Sequence, residues 1–234
     1  MSRVPRIELV ASQGPTPNFN RLASIYRWME WLTFGPLLHH CRVRFLGELA
    51  ERRRALIFGD GDGRFTAALL RANAAIEVDA IDASAAMLVA LKQRAGADGA
   101  RVEVHWADAR AWRMAESSYD ATVTHFFLDC LTSEEIGARA LRVRGAMAPN
   151  AVWLISDFAI PPGRFGRLVA RPVVRLLYLA FGVLTGLVVR ELADHTEALR
   201  NAGFVLTCRR KMLLGLLVSE VWKLNCCFPL SSVE

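Results

Sequence analysis

Lysine is scarce in this 234-residue chain: of 29 basic residues only Lys92, Lys211 and Lys223 are lysines, and the rest are arginines. The formal net charge is +6, yet no compact basic run is interleaved with aromatics, so no nucleic-acid partner is expected. Cysteine is sparse too. Cys41, Cys130, Cys208, Cys226 and Cys227 are odd in number and form no C-x-x-C pair, which argues against a disulfide framework. The start "MSRVPRIELV" has no long apolar region and no small-residue cleavage site, so the thiols read as reduced and the protein as cytoplasmic. His39, His40 and Cys41 are adjacent and would point to different faces of a helix, so no metal site is expected there. Long apolar runs are missing as well. The longest, Leu176 to Val189, has 14 residues and stands between Arg175 and Arg190, short of the about 18 that a spanning helix needs. A hydrophobic content of 53% therefore goes into a core, or onto an interface.

What is there is an alternation of periods. Residues 1–17 hold Pro5, Gly14, Pro15 and Pro17 without periodicity and read as a flexible lead to a single domain over 18–234. Between residues 18 and 54 the apolar residues Leu22, Ile25, Tyr26 and Met29, then Leu37 and Leu38, recur at helical spacing, and Gly35-Pro36 breaks them into two helices. Strands are predicted over 55–58, 76–81, 101–105, 119–127 and 152–157, with helices over 64–73, 84–94 and 133–147 between them. Such a series builds an α/β, Rossmann-like, doubly wound and mostly parallel sheet, whose strands are apolar on both faces because helices cover both. The rhythm stops at an arginine- and leucine-rich insertion over 160–191. A helix over 192–201, stopped by Gly203, and two strands, 204–210 and 214–224, follow; the strands should pair as an antiparallel hairpin at the sheet edge.

The first strand feeds "GDGDG" and then a helix. In an open α/β sheet ligands bind beyond the carboxyl ends of the strands, so this turn is the place to look. Its glycines, Gly59, Gly61 and Gly63, are spaced G-x-G-x-G, and Arg64 stands where a dinucleotide fingerprint has its third glycine. No Gly-Lys-Ser/Thr follows for a phosphate loop, and Asp60 and Asp62 would repel a pyrophosphate by roughly 4 kcal/mol per close charge pair. A ligand that is cationic here and carries a nucleoside elsewhere, such as S-adenosylmethionine, fits better. Asp82, ending the second predicted strand, can accept hydrogen bonds from both ribose hydroxyls, and Asp108 after the third can meet an adenine amino group or simply close a turn.

With these residues in place the chain resembles the class I S-adenosylmethionine-dependent methyltransferases, colinearly from about Leu22 to Leu224. "ALIFGDGDGRF" is similar to the family's glycine-loop motif, "VDAIDASAAML" to the ribose-binding segment, "HWADAR" to the adenine-contacting segment, and "YDATVTHFFLDCL" to the fourth-strand motif. Its style is similar to small-molecule enzymes of the ubiquinone/menaquinone-biosynthesis type. The resemblance implies a seven-stranded sheet. It also implies a cofactor site of Gly59, Asp60, Gly61, Asp62, Gly63, Asp82, Ala83, Met87, Ala107, Asp108, Ala109 and Thr124, with Tyr26 folded over it from the N-terminal helices. One position departs: Ile57 occupies the place of the family's usual acidic residue, and Asp60 or Asp62 is expected to take over its contact with the methionine ammonium. His125 and Asp129 are the candidate acceptor-side catalytic residues. The insertion is expected to act either as a lid of the pocket of a small, apolar acceptor or, through 164–190, as a peripheral membrane contact. The alternatives are a nicotinamide-dependent oxidoreductase and a methyltransferase-like module that binds without turnover.

Overall fold

The computed structural model describes residues 35–114, 118–185 and 192–225. The expected lead, the first N-terminal helix with Tyr26, and Cys226 and Cys227 lie outside them. The described chain opens with α1 (Gly35–Val43), where Pro36 sits in the first turn and so removes no helical hydrogen bond. There follow β1 (Arg54–Phe58), α2 (Arg64–Ala72), β2 (Glu77–Asp82), α3 (Ala85–Ala95), β3 (Val102–Trp106) and β4 (Tyr119–His125). Then come α4 (Ser133–Ala146), β5 (Met147–Phe158), α5 (Arg171–Thr185), α6 (His195–Asn201), β6 (Phe204–Met212) and β7 (Leu217–Leu224). Several helix starts carry their own signals: Ser84 accepts from Met87 N–H, and Thr132 and Glu135 form a reciprocal capping box on α4.

The strands form one seven-stranded sheet in the order β3-β2-β1-β4-β5-β7-β6. β1 pairs in parallel with both β2 and β4, while β7 runs antiparallel to β5 and β6. The predicted C-terminal hairpin is present, but β7 is enclosed and only β6 forms the edge. Its connection is a single 3-10 turn over Leu213–Gly215, so the last strand begins three residues later than expected. Successive residues of β1 serve opposite faces. Leu56 and Phe58 pack with Trp153, Ile155 and α4; Ala55 and Ile57 pack with Phe65 and Leu69 of α2 and Leu91 of α3. Each large side chain so buried contributes about 2–3 kcal/mol, in keeping with a β1 that is apolar at every position after Arg54.

The insertion is helical through a π turn at Gly166–Ala170 that runs straight into α5. Pro172 stands one residue inside α5, where a proline ordinarily costs a hydrogen bond and a clash. The wide turn just before it absorbs the missing N–H and the ring's clash with the preceding carbonyl, so the helix continues.

β1 crosses to β2 on one side and β4 to β5 on the other, so the carboxyl ends of β1 and β4 face a crevice. Both the glycine loop and the segment after β4 open there.

Candidate functional site

The glycine loop turns on three left-handed residues, Gly59, Gly61 and Gly63, with φ of 66°, 62° and 79°. Gly63 is fixed by packing: a Cβ there would lie 2.6 Å from Leu91 Cγ and 2.8 Å from Leu91 Cα. Gly61 is fixed by openness, since its Cβ would meet only the Met87 sulfur, at 3.9 Å, and would project into the space between loop and α3. That is a cradle a side chain would fill. The loop is tied to β2 by Gly59 N–H donating to the Ile81 carbonyl at 2.9 Å and by Gly61 N–H donating to Asp82.

Both aspartates of this turn have partners within the protein. Asp60 is buried and caps α2, accepting from Thr66 N–H and Oγ1–H at 2.8 and 2.6 Å and from Phe65 N–H at 3.3 Å. Burial raises its pKa against these bonds. Asp62 is held by Arg94 at 2.7 Å and by Arg64 at 3.3 Å. Both carboxylates thus carry partners from the protein itself, and Ile57, at the place of the family's usual acid, is buried in the core. For Asp60 the reason is local: a carboxylate just before a helix finds the helix's free N–H groups first.

Asp82 keeps the expected place. It ends β2 beside the loop, bonded by Ser84 N–H at 2.8 Å and by Gly61 N–H. Burial lifts its pKa to about 6 despite those bonds. Ala83 offers its carbonyl to Trp106 Nε1–H at 3.0 Å, Ala107 N–H donates to the Asp82 carbonyl, and Met87 is buried in the first turn of α3. These contacts hold the ends of β2 and β3 together as one wall. Asp108 behaves as a turn residue, accepting from Arg110 N–H at 2.8 Å and pairing with its guanidinium at 3.1 Å. Ala107 and Ala109 are buried against the core. Thr124, expected at the cofactor, is instead enclosed and accepts from Trp153 Nε1–H at 3.0 Å.

Beyond β4 two expectations separate. His125 is only 3% exposed, lies edge-on to Phe65 at 4.5 Å, and neither ring nitrogen has a partner among the described residues. Burial, then Arg42, keep its pKa well below 6.5, so it is a neutral ring under α2. Asp129 follows in a short turn (Leu128–Cys130), where burial lifts its carboxyl to about 6 and Cys130 Sγ–H donates to it at 3.4 Å.

Sequence reading missed Asp129's neighbours. Asp157, at the end of β5 and 1% exposed, accepts the N–H of Phe158 at 2.9 Å and that of Asp129. Burial and then the Asp129 charge raise it well above the usual carboxylate range. Tyr178 of α5 brings a buried hydroxyl with no partner among the described residues, and the charges of Asp129 and Asp157 add to burial in raising its pKa. Behind them Glu220 accepts from Trp222 Nε1–H at 2.7 Å and Arg209 Nε–H at 2.6 Å, with His195 Nε2 at 2.9 Å. Burial opposes its ionisation, and these bonds together outweigh it, so its pKa is lowered. Phe126 adds a left-handed φ of 53° at the end of β4, a strain that active-site turns commonly store. Asp157 and Glu220 looked like ordinary strand residues. A charged residue inside an apolar strand was the only available signal.

Residues 55–150 match the family model described as a methyltransferase domain. No curated protein matches the sequence. Among solved structures, one similar in fold is the 1,6-didemethyltoxoflavin-N1-methyltransferase of Burkholderia thailandensis, with 1,6-didemethyltoxoflavin and S-adenosylhomocysteine bound. Its identity is 18% and its TM-score 0.61, over 92% of this chain and 93% of that one. An O-methyltransferase family protein from Burkholderia thailandensis matches at 17% identity and TM-score 0.67, over 91% of this chain and 65% of its own. Mitomycin 7-O-methyltransferase matches at 15% and 0.66, over 88% and 60%. This chain thus spans less than two thirds of the latter two. By the family match and by the sheet order, residues 55–150 of this chain are a methyltransferase domain, set in the Rossmann-like fold of the class I methyltransferases.

Proposed function

We propose that the protein transfers the methyl group of S-adenosylmethionine to a small acceptor. The observation that carries this is the crevice between β1 and β4, with an open Gly61 and with Asp82 bonded across to it. A sheet with β7 antiparallel between β5 and β6 also differs from the 3-2-1-4-5-6 order of dinucleotide-binding sheets. Asp82 would take the ribose hydroxyls; Ala83, Met87, Ala107, Asp108 and Ala109 would flank the base; and Gly59, Gly61 and Gly63 would let the backbone approach. Bound there, S-adenosylmethionine supplies an electrophilic methyl on a positively charged sulfur.

The chain's own part in the reaction is orientation and proton management. Holding an acceptor in line is worth up to roughly 7–11 kcal/mol in well-oriented reactions. Where the acceptor must lose a proton, Asp129 receives it. A pKa of about 6 lets the group be ionised near pH 7 yet basic enough to act. Asp157 is the positioning partner, and Tyr178 on α5 closes the pocket. His125, enclosed against Phe65, supports the site from below and is not the base.

Calorimetry tests this directly. S-adenosylhomocysteine should bind and NADH should not, and Asp82→Ala should weaken the former by about 1–3 kcal/mol. Affinity should also fall as the pH drops below about 6, where Asp82 takes up a proton. Binding of NADH alone, or unchanged affinity in Asp82→Ala, overturns the assignment.

A further inference from the structure

The outward face of the insertion combines exposed leucines with arginines. Leu168, Leu176 and Leu179 are 73%, 67% and 65% exposed, while Ala170 and Val174 on the opposite face are buried with Leu216. Arg164, Arg167, Arg171 and Arg175 are exposed on the same outward side. Between Asp157 and Glu191 the sequence contains no acidic residue, so nothing on this segment offsets their charge.

The turn between β6 and β7 joins this surface. Leu216 packs against Val174 and its carbonyl accepts Ala159 N–H at 2.8 Å, which seats the turn at the foot of the insertion. At its tip Leu213 and Leu214 both hold left-handed backbones, φ 49° and 54°, and Leu214 is 78% exposed. Arg210 and Lys211 stand exposed just before it. Two strained leucines turned outward gain nothing from water; burial in an apolar phase rewards them.

We propose that this face, residues 164–179 with the 213–214 tip, docks on an anionic lipid bilayer, arginines at the headgroups and leucines below them. Charge selects the occupant. A second copy would bring the same uncompensated arginines face to face, whereas an anionic headgroup layer complements them and the leucines find hydrocarbon beneath. The inference is independent of the methyl-transfer reading.

The test is co-sedimentation of the full chain with vesicles of phosphatidylglycerol and phosphatidylcholine, against pure phosphatidylcholine. Binding is expected to the anionic vesicles and to fall about tenfold or more in Arg171→Glu/Arg175→Glu, since each basic residue contributes a several-fold factor. Leu168→Asn/Leu176→Asn should lose binding comparably. Unchanged circular dichroism and S-adenosylhomocysteine affinity in both variants would show the fold and the cofactor site to be intact. No binding by the wild type overturns the proposal, as does binding that neither variant alters. Loss in the arginine variant alone marks an unspecific polyanion site, and a wild-type dimer dissolved by the leucine variant marks a self-interface; either overturns it.

Discussion

Arg139 projects from α4 into the core, 2% exposed, its guanidinium 5.3 Å over the Phe58 ring. Its Nε and Nη1 have no partner among the described residues, and burial together with Arg142 pushes its pKa down to about 10. A buried cation short of partners is a net loss, so Arg139→Met should stabilise the fold by about 1–3 kcal/mol, read from urea unfolding. A drop in stability would show that the ring contact and packing outweigh the lost hydration. At this scale the place of Asp82 was legible, because the last residue of a strand that feeds a helix lies at the carboxyl edge of the sheet. The partners of Asp60 were not: its carboxylate reaches the first turn of α2 and the hydroxyl of Thr66. Thr124 likewise turned inward to Trp153, a partner 29 residues away.

Among the elements, the contact of α2 with α3 depends on a single position. Gly63 combines a φ of 79° with Leu91 backbone at 2.8 Å from a would-be Cβ. Gly63→Ala should therefore cost about 2–4 kcal/mol, more than the left-handed conformation alone explains, because main chain cannot yield as a side chain tip does. Thermal unfolding checks it; a loss under about 1 kcal/mol would mean that the helices slide apart freely. Strand and helix order was readable because the hydrophobic period switches at each junction. The π turn before Pro172 was not readable, since the sequence shows the obstacle and not the adjustment around it.

For the molecule as a whole, the carboxyl end of the sheet gathers acids that fold with raised pKa values. Asp129 has about 6 in the folded state against about 3.9 unfolded, so folding tightens its hold on the proton. That stabilisation is full below about pH 4 and is lost as the pH rises through about 6; at pH 7 the ionised group destabilises the fold by up to about 3 kcal/mol. Asp129→Asn should accordingly gain stability over the wild type at pH 7, with the gain vanishing near pH 4, in paired denaturant titrations. A gain equal at both pH values would place its origin in packing. Methyl transfer, if Asp129 is the base, should fall in the same variant, so stability and activity move in opposite directions.

The sequence by itself determined the doubly wound class, the order of its elements and the location of the glycine loop, because these follow from periodicity and from left-handed backbone geometry that glycine adopts at the least cost. Tertiary structure decided the occupancy of each carboxylate. Which donors each carboxylate meets depends on how the elements pack: Thr66 of the next helix for Asp60, Arg94 of α3 for Asp62 and the Asp129 N–H for Asp157, and burial then acts on the charge each one carries.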